Sequence, residues 1–215
     1  MNYTVKVVGG EVNITVTLPA AINGNLTVTY PSGFVENVTI KNFDIFGYRQ
    51  NSDAFAICNT RNATIDNSFC RSGDDLFDVK AAGGAETAVS KNITFTNCTA
   101  WNGKARCFGI CGEVEKSISD ITFKDSTVVF HDATWNADRI PALAIVIEIP
   151  GGSINNVTFE NIEIHSAKSR AIGCLIYGSD VQNFNISNIK YKNIRYNSAK
   201  PNKIASNGKT TNRIS

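Results

Sequence analysis

A six-residue pattern recurs six times along the chain and limits the folds that it can adopt. Each copy begins and ends with Asn or Asp, has apolar residues at positions two and four, and has a polar residue at position three. Successive copies begin 25 to 36 residues apart. The copies are Asn37–Asn42, Asn62–Asn67, Asn92–Asn97, Asp120–Asp125, Asn156–Asn161 and Asn183–Asn188.

The pattern predicts stacked coils of β-structure. Apolar and polar residues that alternate with a period of two indicate a strand, and a terminal Asn or Asp suits a sharp bend because it tolerates left-handed backbone. One coil cannot bury its apolar face, whereas stacked coils bury all of them together. Since crossovers between parallel strands are right-handed, we predict an all-β, right-handed parallel β-helix, a single-stranded solenoid. Missing helical periodicity excludes a leucine-rich repeat, and a β-sandwich does not explain an Asn at one phase.

Each coil carries a second apolar stretch, which predicts a second strand. These stretches are Ala54–Ile57, Leu76–Val79, Phe108–Ile110, Ala144–Ile149 and Ala171–Ile176. We assign residues 1–197 to the β-helix, with 1–36 as irregular first coils or a cap, and 198–215 to a polar C-terminal tail. No amphipathic capping helix is predicted, so we expect a partner or a further segment of chain to cover the ends of the solenoid.

Composition narrows the classes of partner. Of the 215 residues, 42% are hydrophobic and 19% are charged, and the formal net charge of +2 gives no field that would attract nucleic acid. The sequence shows no membrane span and no signal peptide. We expect no nucleic-acid or membrane partner. The chain is either cytoplasmic or part of a secreted protein, and we expect the native full-length protein to be extracellular.

Cysteine and Asn-x-Ser/Thr patterns have structural interpretations. None of the six cysteines lies in a Cys-x-x-Cys motif, so we interpret most of them as small buried hydrophobic residues, with one or two disulfides as the alternative. The nine Asn-x-Ser/Thr sequences fall largely within the repeat, which itself generates them. His131 and His165 are interpreted as structural or exposed. We predict no metal site and no cofactor.

Three aspartates are predicted to meet on one face of the solenoid. Asp53 opens the second strand of one coil, and Asp74 and Asp75 open that of the next coil. Equivalent residues of neighbouring coils lie about 4.8 Å apart, where like charges raise each other's pKa. Glycoside hydrolysis needs an acid that protonates the leaving oxygen and a base that activates water. Solvated turn residues are the structural alternative, but the shared phase favours catalysis.

Two motifs around these aspartates resemble those of the polygalacturonase family, glycoside hydrolase family 28. Asn51-Ser-Asp53 resembles its Asn-Thr-Asp-Gly motif, and Gly73-Asp-Asp-Leu-Phe-Asp-Val-Lys80 resembles its Gly/Gln-Asp-Asp-Cys-x-x-x-Lys motif. The likeness covers roughly residues 35 to 180. It implies a pectin-lyase-like β-helix and an inverting hydrolase. Asp74 would be the general acid, and Asp53 and Asp75 would hold and activate water.

The sequence departs from that family at its other motifs. Arg106 stands where the family has the His of Gly-His-Gly, and Arg139-Ile140-Pro141 matches only part of Arg-Ile-Lys, which grips a uronate. We therefore expect a relative that acts on another polysaccharide, neutral or acidic; the dextranase family is one such neighbour. The predicted substrate-binding residues are Lys80, Trp101, Lys104, Arg106, Arg139 and Tyr177, with Glu113 as a weaker candidate.

Two other functions stay open at this point. The missing His and the uncapped ends favour a non-catalytic carbohydrate-binding module or a truncated enzyme, which would bind oligosaccharide without releasing reducing ends. A polysaccharide lyase is the lower alternative, because the aspartates could hold calcium with Arg106 as the base. A lyase would release an unsaturated product that absorbs ultraviolet light.

Overall fold

The computed structural model describes residues 3–6, 26–29, 35–83, 87–176 and 184–205, which form strands, turns and bends but no helix. The strands in chain order are β1 Tyr3–Lys6, β2 Leu26–Thr29, β3 Val35–Lys41, β4 Asp44–Gln50, β5 Phe55–Cys58, β6 Thr60–Asp66, β7 Phe69–Gly73, β8 Phe77–Ala81, β9 Ser90–Thr96, β10 Thr99–Asn102, β11 Phe108–Val114, β12 Ile118–His131, β13 Pro141–Pro150, β14 Ser153–Ile176, β15 Asn185–Lys200 and β16 Lys203–Ala205.

All the strand pairs of the described residues are parallel and join equivalent parts of successive coils. A first face contains β3, β6, β9 and the first parts of β12, β14 and β15. A second face contains β4, β7, β10 and the later part of β12. A third face contains β5, β8, β11, β13, the end of β14 and β16. The chain is therefore a parallel β-helix, as predicted. Each coil has three strand segments, where the sequence indicated two.

Asn and Asp side chains form ladders along the outside of the first face. The backbone has positive φ at both ends of the repeated pattern, for example 56° at Asn62 and 49° at Asn67. Their side chains bond to the coil below: Asn62 Nδ2 donates to Asn37 Oδ1 at 3.1 Å, and Asn67 Nδ2 donates to Asn42 Oδ1 at 2.7 Å. Left-handed backbone and side-chain bonding together explain why Asn and Asp recur at these positions.

The sixth copy of the repeat was predicted in the wrong register. Strand β15 pairs Val157 with Ile189 and Phe159 with Tyr191, so the equivalent of Asn156–Asn161 is Asn188–Asn193. The predicted copy began at Asn183, which lies outside the described residues. Asn occurs at 183, 188 and 193, five residues apart each time. The six-residue pattern therefore fits two overlapping windows equally well.

The C-terminal end of the β-helix differs from the prediction. Strand β15 continues through Lys200, beyond the boundary assigned at residue 197, and β16 pairs with Gly173–Leu175 of β14. These residues had been assigned to a polar tail. Residues 206–215 lie outside the described residues. At the other end, β1 pairs with β2.

The core is a stack of aromatic rings that runs through the coils. Phe95, Phe123, Phe159 and Tyr191 stack in succession with ring centroids 4.9 to 5.0 Å apart. A second stack joins Phe55, Phe77 and Phe108. The three phenylalanines of the first stack have no solvent exposure, and offset aromatic pairs add about 0.5–1.5 kcal/mol beyond the area that they bury.

The cysteines behave as small hydrophobic residues. All six are free thiols, and all are buried except Cys58, which is partly exposed. Within the described residues, no helix is long and apolar enough to span a membrane.

Candidate active site

The three predicted aspartates come together in the turns that join the second face to the third. We call residues 51–54, 74–76 and 103–107 the site turns; they follow β4, β7 and β10. Asp53 lies in the first, and Asp74 and Asp75 lie in the second. One oxygen from each of the three carboxylates lies within 4.8 Å of the other two. The three aspartates that were predicted to meet are therefore close together in the structure.

Close packing of the backbone places the first two site turns against each other. Ala54 N donates to Asp75 O at 2.9 Å, and the Ser72 hydroxyl donates to the Ser52 carbonyl. Gly73 is needed here, because a Cβ at this position would lie 2.0 Å from the Arg49 carbonyl oxygen. The coils approach so closely that the carboxylates have little freedom to separate.

Burial and nearby charges act differently on the pKa values of Asp74 and Asp75. Burial, followed by the charges of Asp75 and Asp53, raises the pKa of Asp74 to about 7. Burial also raises the pKa of Asp75, but the Arg106 guanidinium opposes that effect. Of the three aspartates, only Asp74 has no ion-pair partner among the described residues. Asp74 is therefore the group best suited to hold a proton at neutral pH.

Lys80 fixes the carboxylate of Asp53. Its Nζ lies 3.0 Å from Asp53 Oδ2, 3.3 Å from Glu113 Oε2 and 3.5 Å from Asp78 Oδ2. Burial alone would lower the pKa of Lys80, but the three carboxylates raise it above its usual value. Asp78 is fully buried and accepts a hydrogen bond from Cys111 N at 3.0 Å. Lys80 is thus a charged anchor surrounded by acids.

Arg106 does the same for Asp75. Its backbone N–H donates to Asp75 Oδ1 at 2.9 Å and its Nη1 donates to Asp75 Oδ2 at 3.1 Å. Its Nη2 donates to Glu148 Oε1 at 2.8 Å. Arg106 is 9% exposed, and a guanidinium stays charged at every physiological pH. Asp75 is therefore held by two donors in one orientation.

Asn102, which the sequence did not single out, ties these turns together. It is fully buried, and its Nδ2 donates to the Asp74 carbonyl at 2.8 Å and to the Arg106 carbonyl at 2.9 Å. Its Oδ1 accepts from Lys104 N and Ala105 N. Its place outside the repeated pattern concealed this role. The sequence feature that could have indicated this role is a polar side chain directly before the Gly103-Lys104 turn.

A cleft of about 310 Å³ has as its floor the side chains of Asp53, Asp74, Asp75, Lys80 and Arg106. Three further groups at its wall are Trp135, Asn136 and Arg139, and two acidic groups are Glu113 and Glu148. Trp135 is 38% exposed, so its ring is available to stack against a sugar. The cleft combines carboxylates, fixed cations and an aromatic ring, which is the chemistry of a carbohydrate site.

Comparison with known proteins identifies the family. The model of glycosyl hydrolases family 28 matches residues 25–214. The chain belongs to glycosyl hydrolase family 28. A curated relative, the alpha-L-rhamnosidase rgxB of Aspergillus niger (strain ATCC MYA-4892 / CBS 513.88 / FGSC A1513), is 28% identical over 118 residues. That match covers 51% of this chain and 26% of the relative, so the similar region is about a quarter of the relative's length.

The structure brings only some of the predicted binding residues of this family 28 chain into the cleft. Lys80, Arg106 and Arg139 line it. Trp101 instead lies on the outer surface of the second face, with Arg71 over its ring at 4.9 Å and Phe130 beside it. Lys104 is exposed at the third site turn and is not among the residues that line the cleft. Tyr177 lies outside the described residues.

The histidines have no place at the floor of this family 28 cleft. His131 is fully buried one coil beyond, with Nδ1 3.1 Å from the Ser169 hydroxyl, and burial lowers its pKa to about 4. His165 is exposed beside Glu163. Arg106 therefore stands as the strong cation next to the aspartates, and no imidazole lines the cleft.

The aspartate trio also has the geometry of a metal-ligand set. Carboxylate oxygens are the ligands that Mg²⁺ and Ca²⁺ prefer. Asp53 and Asp75, however, already pair with Lys80 and Arg106, which supply the positive charge that a bound cation would otherwise provide.

Proposed function

We propose that this chain carries the active site of a glycoside hydrolase that cleaves O-glycosidic bonds in a polysaccharide or oligosaccharide. The observation that carries the proposal is the meeting of Asp53, Asp74 and Asp75, two of them held by cations and one not. Membership of family 28 supports it. As is typical of that family, we propose that the full-length protein acts outside the cell.

The roles of the aspartates follow from their environments. Asp74 donates its proton to the glycosidic oxygen while the bond from the anomeric carbon to that oxygen breaks. A water held by Asp53 and Asp75 attacks the anomeric carbon from the opposite face and gives a proton to one of these carboxylates. The products are a reducing sugar of inverted configuration and a free hydroxyl on the leaving sugar. Lys80 and Arg106 pair with the two water-binding carboxylates and hold them in place.

Stereochemistry is the most informative detail to measure. Inverting enzymes commonly separate their two carboxyl groups by about 6.5–9.5 Å and retaining enzymes by about 5–5.5 Å. The nearest oxygens here lie within 4.8 Å, while the resemblance to polygalacturonases favours inversion. We propose an inverting mechanism, because Asp53 and Asp75 form a pair that can hold one water between them. A retained product would reassign one of them as a nucleophile.

The test is reducing-sugar release across a panel of polysaccharides and aryl glycosides, with anomeric configuration followed by NMR. The panel includes rhamnosides, because the relative from Aspergillus niger is named as an alpha-L-rhamnosidase, and polygalacturonate, which the resemblance favours. Release that disappears in Asp74→Asn supports the proposal. Binding without release would indicate a non-catalytic module. An unsaturated product absorbing in the ultraviolet would indicate a lyase.

A further inference from the structure

The two cations on the floor of the cleft are occupied by the protein's own carboxylates. Lys80 lies within 3.5 Å of oxygens of Asp53, Asp78 and Glu113. Arg106 lies within 3.1 Å of oxygens of Asp75 and Glu148. A cation that already pairs with internal carboxylates is a poor ligand for the carboxylate of an acidic sugar, because the substrate would have to compete with those partners.

Glu113 and Glu148 are each held at only one carboxylate oxygen. In the described part of the chain, the partner of Glu113 is Lys80 through Oε2, and that of Glu148 is Arg106 through Oε1. Their side chains are 35% and 49% exposed. They come from adjacent coils of the third face, where Glu113 is in register with Ile149, the neighbour of Glu148. Each therefore offers one oxygen to the cleft as a hydrogen-bond acceptor.

The charges around the cleft also oppose an acidic substrate. Besides the proton donor Asp74, four carboxylates line it, against the three cations Lys80, Arg106 and Arg139. A uronate carboxylate would add another negative charge beside this excess, where repulsion is screened less than in open solution. A neutral sugar instead presents hydroxyl groups, which donate strong charge-assisted hydrogen bonds to carboxylates.

We infer that Glu113 and Glu148 set the specificity of the cleft, accepting hydrogen bonds from hydroxyls of a neutral hexose or deoxyhexose and excluding a uronic acid. The inference rests on the proposed function, since it names the substrate class of that same site. Lys80 and Arg106 are on this view positioning residues, which orient the glutamates as well as the aspartates. They do not grip the substrate.

The experiment compares sugars that differ only at C6. Aryl galactosides and glucosides are paired with the corresponding galacturonides and glucuronides, and an aryl rhamnoside is added. For each, kcat/KM is measured in the wild type, Glu113→Gln, Glu148→Gln and the double variant. We expect the wild type to prefer the neutral member. Each Gln variant should lower neutral kcat/KM by about tenfold, the usual effect of losing a charge-assisted hydrogen bond, and should raise relative uronide turnover.

The ratio of the two kcat/KM values is the decisive readout. A purely structural role for the glutamates would lower both members of a pair together and leave their ratio unchanged, which would overturn the inference. Wild-type preference for the uronides would also overturn it, while leaving the proposed hydrolysis intact. The control is Glu160→Gln, which removes a glutamate paired with Lys192 on the first face, away from the cleft. This control should not alter the ratio.

A binding measurement keeps the inference testable if no aryl glycoside is cleaved. Calorimetry with Asp74→Asn protein and the same pairs of sugars, as short oligosaccharides, gives the neutral-to-acidic ratio of Kd without turnover. A neutral preference that shrinks in the Gln variants supports the inference even if the wild type hydrolyses nothing, an outcome that would defeat only the proposed function. Equal binding of both members in every variant overturns the specificity inference alone.

Discussion

Two kinds of turn recur in successive coils, and they differ in how constant their residues are. The Asn ladders repeat one residue type at one phase, as at Asn62, Asn92 and Asn156, and each side chain bonds its equivalent or an Asp in the coil below. The site turns change with every coil, from Asp53 to Asp74–Asp75 to Arg106. A position that is constant along a solenoid serves the stacking itself, which is the same in each coil.

A position that changes along the solenoid can place different chemistry at adjacent points in space. Asp53, Asp75 and Arg106 come from three successive site turns, and an ion pair between Asp75 and Arg106 joins the second turn to the third. The acidic groups in the site turns are partly or fully buried, and the stacking of coils does not by itself give them partners. Cations from other strands therefore have to pair with them. Lys80 from β8 fills that need for Asp53.

Replacing an aspartate by asparagine should lower activity in a site turn and leave activity unchanged in an Asn ladder. Asp74→Asn removes the proton donor and should lower kcat by about 10²–10⁴-fold without loss of folding. Asp120→Asn changes a ladder position where other coils already use Asn and should leave kcat unchanged. Reducing-sugar release on the best substrate of the panel measures both. Equal activity of Asp74→Asn and the wild type would contradict the assignment of the acid.

Arg106→Gln should have the next largest effect, on stability. It leaves Asp75, 3% exposed, without its cation, and breaking a buried ion pair costs about 3–5 kcal/mol. The penalty should shrink as pH falls, because Asp75 then takes up a proton and no longer carries a buried charge. Urea unfolding near neutral and acidic pH measures this. Lys41→Gln, which breaks a pair that is largely exposed, is the matched control and should cost little.

The pH dependence should reflect the raised pKa of Asp74. The acid must be protonated to work, so kcat/KM should fall as pH rises through about 7, by up to about tenfold per pH unit. The same shift predicts a stability effect of definite sign. Ionising Asp74 is harder in the folded chain, so its contribution to stability declines as pH rises from about 4 to about 7. Asp74→Asn should therefore gain melting temperature relative to the wild type over that interval; a constant difference would argue against the shift.

The contrast between the two turns also explains what the sequence could predict. The ladder positions and their strands were readable because each is repeated and each follows the period of two. Asp53, Asp74 and Asp75 were readable because they share a phase with one another. The register of the last coil was not, since Asn183, Asn188 and Asn193 offer two equivalent windows, and the pairing of Ile189 with Val157 is decided only by packing.

Residues that act through a partner were harder to predict. Lys80 was expected to bind substrate, and the structure shows its ammonium between three carboxylates. Trp101 was expected at a sugar subsite but points away from the cleft, because β10 places it on the outer surface of the second face. Asn102, the next residue, points inward and binds the Asp74 carbonyl. Adjacent residues of a strand face opposite sides of the sheet. A prediction that is wrong by one position therefore assigns a surface residue to the site.

The smallest expected effect lies in the ladder and separates backbone strain from side-chain bonding. Asn161 has a φ of 52°; its Nδ2 donates to Asp125 Oδ1 at 2.8 Å, and its Oδ1 accepts from Asn193 at 2.9 Å. Asn161→Gly removes both bonds but keeps left-handed backbone inexpensive, and should cost about 1 kcal/mol. Asn161→Ala should cost about 1–2 kcal/mol more, because a Cβ disfavours that conformation. Chemical denaturation of the two variants measures the difference. If Ala and Gly cost the same, backbone strain does not explain the repeated Asn, and the side-chain ladder alone must.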